Sequence, residues 1–249
     1  GACQEARLTA RQASRARPSD VDLASADALL SGDYARLVTT APTLLEGVLP
    51  CGDRCDRAVG LQMVRDGRWE YAACILAQAA VKSPADSEIQ TWLGEAYARL
   101  GMSEAAERAF RRAIELNDAR PEAWLLLGKL LLREGRLDEA RETLLKAQAL
   151  DSGNPAPCLA VAELKAQMGL YEEVDRWTQA ALERAPADAD IAKAAARIYL
   201  SRRLADNGIA ISAVDLAVRL EPDDGEAAML LGASHLLRGE VDAALAVLD

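Results

Sequence analysis

The chain has 249 residues and a formal net charge of −10, from 39 acidic and 29 basic side chains. Such an acidic balance argues against non-specific binding to nucleic acid, which requires a basic face. Hydrophobic residues make up 51% of the chain but aromatic residues only 4%, and the apolar positions are mainly Ala and Leu, the best helix formers. Because residues that favour strands are sparse, the composition predicts an all-helical protein.

The N-terminal segment is polar and rich in Arg and Ser over residues 4–18, which predicts a flexible tether. It follows Gly1-Ala2-Cys3. Small residues directly before a Cys, then a polar tether and a folded domain, resemble the end of a bacterial lipoprotein signal. That resemblance implies lipidation of Cys3 and, with Gln4 after it, transport to the outer membrane. The alternative is that Cys3 is an ordinary cysteine in an exposed tail.

Residues 19–52 resemble a degenerate helical hairpin in which Pro42 would break the second helix. At its end, Cys51 and Cys55 are separated by three residues that include a Gly. These two cysteines could form a disulfide in an oxidising compartment, or they could be two ordinary thiols. Cys74 and Cys158 lie at apolar helix positions, where we expect buried, inert thiols.

Glycine and alanine recur with a period of 34 residues through the rest of the chain. Four series share this period: Gly60, Gly94, Gly128; Gly67, Gly101, Gly135, Gly169; Ala72, Ala106, Ala140; and Ala79, Ala113, Ala147, Ala181. The first glycine marks a close approach of two helices, the second ends a helix, and the alanines mark a packed second helix. The pattern predicts units of two helices at 53–86, 87–120, 121–154, 155–188 and 189–224, with a partial unit at 225–249.

Two units depart from the pattern. The unit at 155–188 has Ala162 and Val174 where the first Gly and the first Ala are expected. The unit at 189–224 is two residues longer than 34, and the stretch 201–208 replaces its short turn. We therefore expect an extended connection between the two helices of that unit.

The regular units resemble the tetratricopeptide repeat. The resemblance rests on matches such as Leu93, Gly94, Tyr97, Gly101, Ala106, Phe110 and Ala113. It implies an all-α fold, a right-handed superhelix (α-solenoid) of about six to seven helical hairpins. It also implies a protein–protein interaction scaffold.

In that family, the first helices of successive units line a concave groove that contacts the ligand. Carried over to this sequence, the candidate groove residues are Arg54, Arg57, Leu61, Arg65, Glu88, Thr91, Glu95, Arg99, Glu122, Leu125, Lys129, Arg133, Leu159, Glu163, Gln167, Asp190, Lys193 and Arg197. Chaperone-binding members hold a carboxylate with Asn at positions that here carry Leu61, Glu95, Lys129 and Glu163. A carboxylate-binding co-chaperone is therefore disfavoured.

Catalytic patterns are missing from the sequence. It contains no glycine-rich phosphate loop, no H-E-x-x-H and no G-x-S-x-G, and His235 is its single histidine. We therefore predict a protein that is not an enzyme and that uses no cofactor or metal.

The layout of Cys3, a tether and repeats resembles the pilotins of type IV pili, which are lipoproteins. This resemblance implies a periplasmic location at the outer membrane and a secretin subunit, or another envelope assembly component, as the partner. The alternative is a soluble cytosolic adaptor or the repeat module of a larger regulatory protein. The incomplete last unit favours that alternative.

Overall fold

The computed structural model describes residues 55–248, with side chains from Arg57 to Val247. These residues form twelve α-helices and no strand, which confirms the predicted all-α fold. The helices are α1 (Cys55–Arg65), α2 (Trp69–Lys82), α3 (Ser87–Arg99), α4 (Ser103–Leu116), α5 (Pro121–Arg133), α6 (Leu137–Leu150), α7 (Pro155–Gln167), α8 (Tyr171–Arg184), α9 (Ala189–Ser201), α10 (Gly208–Leu220), α11 (Gly225–Leu237) and α12 (Val241–Leu248). Each predicted repeat unit from residue 53 onward encloses one consecutive pair of these helices. The predicted tether at 1–18 and the hairpin at 19–52 lie outside the described residues, as do Cys3, Cys51 and Arg54.

The turn inside a regular hairpin is fixed by a left-handed glycine. Gly67, Gly101, Gly135 and Gly169 have φ between 68° and 75°. At Gly101, the glycine N–H donates to the Ala98 carbonyl at 3.2 Å, and the Met102 N–H donates to the Tyr97 carbonyl at 2.9 Å. These bonds satisfy carbonyls at the end of the first helix and reverse the chain within three residues.

The other glycine series allows the two helices of a hairpin to touch. A Cβ added to Gly94 would lie 2.6 Å from the Phe110 ring, and one added to Gly128 would lie 2.5 Å from the Leu144 side chain. Neither distance is compatible with a real side chain. The absence of a Cβ at Gly94 and Gly128 therefore allows Phe110 and Leu144 of the second helix to pack against the first.

Polar residues at the helix starts account for several of the boundaries. Asp86 accepts hydrogen bonds from the Glu88 and Ile89 N–H groups at 2.9 and 3.2 Å, and Asn154 accepts one from Ala156 N–H at 2.9 Å. Such caps satisfy backbone donors that have no partner in the first turn. They begin α3 and α7.

The chain divides into two compact units, residues 1–126 and 127–249, which we describe separately. In the described part of the first unit, the core of the first two hairpins includes Val59, Met63, Leu76 and Ile89, which are at most 2% exposed. In the second, one core cluster joins Cys158 and Leu159 to buried residues of α9, α10 and α11. None of the helices between residues 55 and 248 is long and apolar enough to cross a membrane.

Candidate functional site

The second unit contains a groove between α7 and α9. Its volume is about 480 Å³. The lining residues are Lys129, Ala156, Leu159, Ala160, Glu163, Ala166, Ile191, Ala194, Arg197, Ile198, Ser201 and Arg202. We call this surface the α7–α9 groove.

Small apolar side chains form the floor of the α7–α9 groove. On α7, Ala156, Ala160 and Leu159 are buried or half-buried and lie three or four residues apart, so they share one face of the helix. On α9, Ala194 and Ile198 repeat the same spacing. Because alanine projects only a methyl group, the two helices leave space between them, and that space is apolar.

Charged side chains form the rim, and cations predominate there. Lys129, Arg197 and Arg202 are exposed and line the groove, together with one acid, Glu163. The Arg197 guanidinium donates a hydrogen bond to Glu226 at 2.8 Å, which holds the side chain in place while 58% of it remains exposed. The rim of the groove therefore carries charges of both signs.

Lys193 also lies on α9 but has a different environment. Its side chain is 8% exposed, and its ammonium group lies 2.8 Å from Glu221, 3.1 Å from Asp224 and 3.1 Å from Asp190. The hydrogen bonds that Lys193 donates to these carboxylates, first to Glu221, raise the pKa of Lys193, and the hydrogen bond from Lys193 lowers the pKa of Asp224. Lys193 thus links α9 to the connection between α10 and α11. Because Lys193 is buried, its side chain is not available for the ligand contact that was predicted for it.

The connection between α9 and α10 borders the groove and is irregular, as the sequence predicted. It covers residues 202–207, whereas the regular hairpins turn over three residues, such as 168–170. Arg203, 34 residues after Gly169, has φ 60° and occupies the left-handed position that glycine fills in the four earlier hairpins. Its N–H donates to the Leu200 carbonyl, and the Leu204 N–H donates to the Tyr199 carbonyl, both at 3.0 Å. The backbone therefore has the same turn as the regular hairpins, although the residue in the left-handed position is arginine.

A partly buried polar cluster lies at the far end of this connection. Asp175 on α8 accepts hydrogen bonds from the Tyr199 hydroxyl at 2.8 Å and from the Asn207 amide at 3.1 Å. The Asn207 side-chain oxygen in turn accepts from the Ile209 N–H at 2.8 Å and begins α10. Burial, and then the neighbouring Asp175, raise the pKa of Tyr199. The connection is therefore held at both ends, and Arg202 has a defined position beside the groove.

In the described part of the first unit, predicted groove residues neutralise one another. Arg57 forms ion pairs with Asp86 at 3.2 Å and with Glu88. Arg99 pairs with Glu95 at 2.8 Å and lies 5.1 Å above the centre of the Trp69 ring. Two of the predicted groove cations in this part of the chain, Arg57 and Arg99, are therefore paired with acids.

Thr91, also predicted to line the groove, is fully buried, and its hydroxyl donates to the Ser87 carbonyl at 2.7 Å. That prediction is wrong, because the side chain satisfies its own helix instead of facing a ligand. The remaining candidates are exposed or half-buried, and those outside the α7–α9 groove are Leu61, Arg65, Glu122, Leu125, Arg133, Gln167 and Asp190.

The structure brings four predicted residues together in the α7–α9 groove: Lys129, Leu159, Glu163 and Arg197. Sequence reasoning missed the alanine floor and Arg202. The floor could have been found from the spacing of alanines on α7 and α9. Arg202 lies in the irregular connection, where the repeat gives no register, and no sequence pattern marked it.

The cysteines differ from expectation at one position. Cys74 is buried, but it is disulfide-bonded instead of being a free thiol. Cys158 is a buried free cysteine, and burial raises the pKa of its thiol. The predicted Cys51–Cys55 pairing involves atoms outside the described part of the chain. Between residues 57 and 247, no cluster of His, Cys, Asp and Glu is suited to hold a metal ion.

Helical hairpins with a fixed period and a groove between their first helices define a repeat scaffold that binds other proteins. Residues 93–155 and 202–249 match the family model described as "Tetratricopeptide repeat". The predicted family resemblance is thereby confirmed.

Solved structures of repeat proteins share this fold. PilW, a widely conserved type IV pilus biogenesis factor, is 18% identical with a TM-score of 0.67, covering 78% of this chain and 90% of that one. PilF of Pseudomonas aeruginosa is 17% identical with a TM-score of 0.62, covering 78% and 88%. A tetratricopeptide repeat protein from Parabacteroides merdae is 17% identical with a TM-score of 0.64, covering 92% and 89%. Identities this low show a common fold alone.

A human sequence relative is much longer than this chain. Protein O-mannosyl-transferase TMTC1 of Homo sapiens is 29% identical over 132 residues, which cover 53% of this chain. The matched stretch is 15% of the length of that protein.

Proposed function

We propose that this protein is a non-enzymatic scaffold, anchored to the periplasmic face of the outer membrane by a lipid on Cys3. There it supports assembly of a type IV pilus by binding the secretin subunit. The α7–α9 groove is the observation that carries the binding role, because it offers an apolar floor and a charged rim. Sites that bind protein segments commonly combine these two features.

Two features support the location. The residues Gly1-Ala2-Cys3-Gln4 resemble the end of a lipoprotein signal. The disulfide at Cys74 fits an oxidising compartment such as the periplasm, since disulfides are rare in the reducing cytosol. The fold shared with PilW, itself a pilus biogenesis factor, is compatible with the pilus role.

Lipidation is tested by expressing the protein with its own upstream sequence in the source organism, alongside a Cys3→Ser variant. Both are labelled with an alkyne analogue of palmitate, and the membranes are then fractionated. We expect label and outer-membrane recovery for the parent and loss of both in the variant. Absence of label from the parent would reject the anchor.

The secretin role requires a separate experiment. In a strain that lacks the gene, we expect the heat-resistant secretin multimer to disappear from the outer membrane and to return when the gene is restored. An Arg197→Glu/Arg202→Glu variant should restore less multimer than an Arg176→Glu/Arg219→Glu variant, which makes the same charge change at exposed residues outside the groove. Normal secretin multimers without the gene would reject the pilus role.

A second candidate is the repeat module of a larger cytosolic or regulatory protein. The match to a stretch that makes up 15% of the length of TMTC1 favours it, because it shows that similar repeats occur within longer chains. Detection of the native protein by immunoblot distinguishes the two. A soluble species much larger than 26.7 kDa supports the module, and a membrane-bound species near that mass supports the lipoprotein.

A further inference from the structure

We propose that the segment of the chain before Cys55 packs against the outer face of α2, where a disulfide between Cys51 and Cys74 fastens it. The outer face of α2 is the side of that helix that carries Glu70, Cys74 and Val81. This docking is independent of the α7–α9 groove. It rests on the proposed function in one respect, since a lipid on Cys3 removes that thiol from the possible partners of Cys74.

Cys74 is buried at a position that the following hairpins expose. Steps of 34 residues lead from Cys74 to Arg108, Glu142 and Arg176 on α4, α6 and α8, and all three of these residues are exposed. Cys74 is only 2% exposed. The outer face of α2 is therefore covered at Cys74, whereas the same place on the next three second helices faces solvent.

The helices packed against α2 lie on its other side. A Cβ on Gly60 of α1 would lie 2.6 Å from the Leu76 side chain, and Cys74 lies about 160° around the helix from Leu76. The core cluster of the first two hairpins includes Ala73 and Ile75, but Cys74 is not among its described members. Because the described helices begin at Cys55, we assign the cover to residues 1–54.

The composition of α2 agrees with a cover on this side. α2 carries two charged side chains, Glu70 and Lys82, whereas α4 carries six. A helix that lacks a broad polar face is buried on more than one side. The cover is short, because Glu70 is exposed and Val81, two turns after Cys74 on the same face, is 82% exposed.

The position of Cys55 excludes it as the partner of Cys74. The helices α1 and α2 are antiparallel, and Gly60 lies beside Leu76. Cys55 is therefore about seven residues, or roughly 10 Å, along the helix axis from the level of Cys74. The α-carbons of a disulfide are at most about 7 Å apart.

Cys51 is the cysteine that remains. The chain has five cysteines, of which Cys158 is free and Cys3 carries the lipid in the proposed function. Cys51 precedes Cys55 by four residues, which span about 13 Å when extended. This length is enough to carry the Cys51 thiol from the start of α1 to the outer face of α2.

Closing the bond removes two electrons and two protons from the two thiols. A protein disulfide of a thiol oxidase accepts them by exchange and becomes a dithiol. One thiolate of the pair attacks the disulfide of the oxidase and forms a mixed disulfide. The second thiolate then attacks the mixed disulfide and releases the reduced oxidase.

Peptide mapping identifies the partner of Cys74 directly. The full chain is purified from the source organism, its free thiols are blocked at low pH, and it is digested with trypsin and analysed by mass spectrometry with and without reduction. Cleavage after Arg and Lys places Cys74 and its possible partners on four different peptides: 69–82 for Cys74, 1–7 for Cys3, 37–54 for Cys51 and 55–57 for Cys55.

We expect peptide 37–54 linked to peptide 69–82, and we expect reduction to separate them. Peptide 55–57 linked to either of the other two would overturn the assignment, and so would two copies of 69–82 linked to each other, which would place the disulfide between two chains. Peptide 1–7 linked to 69–82 would overturn both the assignment and the lipid anchor. If the 37–54 link is found but Cys3 takes up no lipid label, the anchor fails and the docking stands.

A Cys74→Glu variant tests the cover separately from the bond. Glu142 occupies the equivalent position of α6, so the helix itself accepts this residue. We expect Cys74→Glu to lower the urea midpoint further than Cys74→Ser does, because the carboxylate would be buried beneath the docked segment. Trypsin should also cleave the native variant after Arg36 and Arg54 several-fold faster than it cleaves Cys74→Ser.

The matched control is Val81→Glu, on the same face of α2 but beyond the cover. Glu115 and Glu183 occupy the equivalent positions of α4 and α8, and Val81 is 82% exposed. This variant should unfold and be cleaved like the parent. If Cys74→Glu has the same midpoint and the same cleavage rate as Cys74→Ser, the outer face of α2 is not covered and the docking is wrong, whichever cysteine pairs with Cys74.

Discussion

Replacing Arg203 by glycine should stabilise the protein. Arg203 has φ 60°, a conformation in which the Cβ of an L-residue lies too close to the following carbonyl oxygen. Glycine carries no Cβ and occupies this position at Gly67, Gly101, Gly135 and Gly169. The exposed Arg203 side chain contributes no packing that the change would remove from the core.

The size of the effect follows from two opposing terms. Relief of the left-handed conformation contributes about 1–2 kcal/mol. The greater backbone freedom of glycine in the unfolded chain removes about 0.5–1 kcal/mol of that gain. The net increase in the free energy of unfolding is therefore about 0–1.5 kcal/mol. For a chain of this length, the midpoint of about 0.75 kcal/mol corresponds to a rise in melting temperature of about 2–3 °C.

Thermal and urea unfolding, followed by circular dichroism, measure this change. Arg203→Ala controls for loss of the side chain and should leave stability nearly unchanged, because alanine suffers the same backbone strain. Gly169→Ala provides the reverse experiment. Gly169 has φ 74° and nothing within 4 Å of an added Cβ. The variant should therefore lose about 0–1.5 kcal/mol of stability, and this loss would come from the backbone alone. A loss of stability in Arg203→Gly, or an equal gain in Arg203→Ala, would refute the reasoning.

Three further predictions concern packing, the disulfide and pH. Gly94→Ala should cost about 1–3 kcal/mol in urea unfolding, because its Cβ would lie 2.6 Å from the Phe110 ring. Cys74→Ser should lower the free energy of unfolding by about 2–4 kcal/mol. A reductant should lower the stability of the parent by a similar amount but leave that of the variant unchanged. The hydrogen bond from Lys193 lowers the pKa of Asp224. The ionised Asp224 therefore contributes its full stabilisation above the unfolded-state pKa of about 3.9. This contribution is lost as the pH falls through the folded-state pKa. The stability difference between the parent and Asp224→Asn should therefore shrink below about pH 4; a constant difference down to about pH 2 would contradict this.

The sequence was sufficient to predict the hairpins because each repeated glycine has one physical role. Gly101 must adopt a positive φ, and Gly94 must admit the Phe110 ring. A larger residue at either of these two positions would be strained, so the spacing of the glycines gives the spacing of the helices. The longer connection at 202–207 was also predictable, since the repeat is interrupted there.

The binding surface was less predictable, because the role of a side chain depends on its neighbours in space. Lys193 and Arg197 lie one helical turn apart on α9, and both were predicted to face a ligand. Lys193 is buried among the carboxylates of Glu221 and Asp224, whereas Arg197 remains mostly exposed at the groove. The repeat register assigns both residues to the same helix, but it contains no information about which carboxylates come from the next hairpin.

Specific recognition by a repeat protein depends on differences between its units, since identical units would present identical surfaces. In the described part of the first unit, Arg57 and Arg99 pair with nearby acids, and in the second unit Arg197 pairs with Glu226. In the second unit, the longer connection places Arg202 beside Arg197, and the alanines of α7 and α9 leave space between the helices. The departure from the repeat is therefore what makes this groove chemically distinct. The strain at Arg203 is consistent with this, because glycine at that position would give a more stable turn.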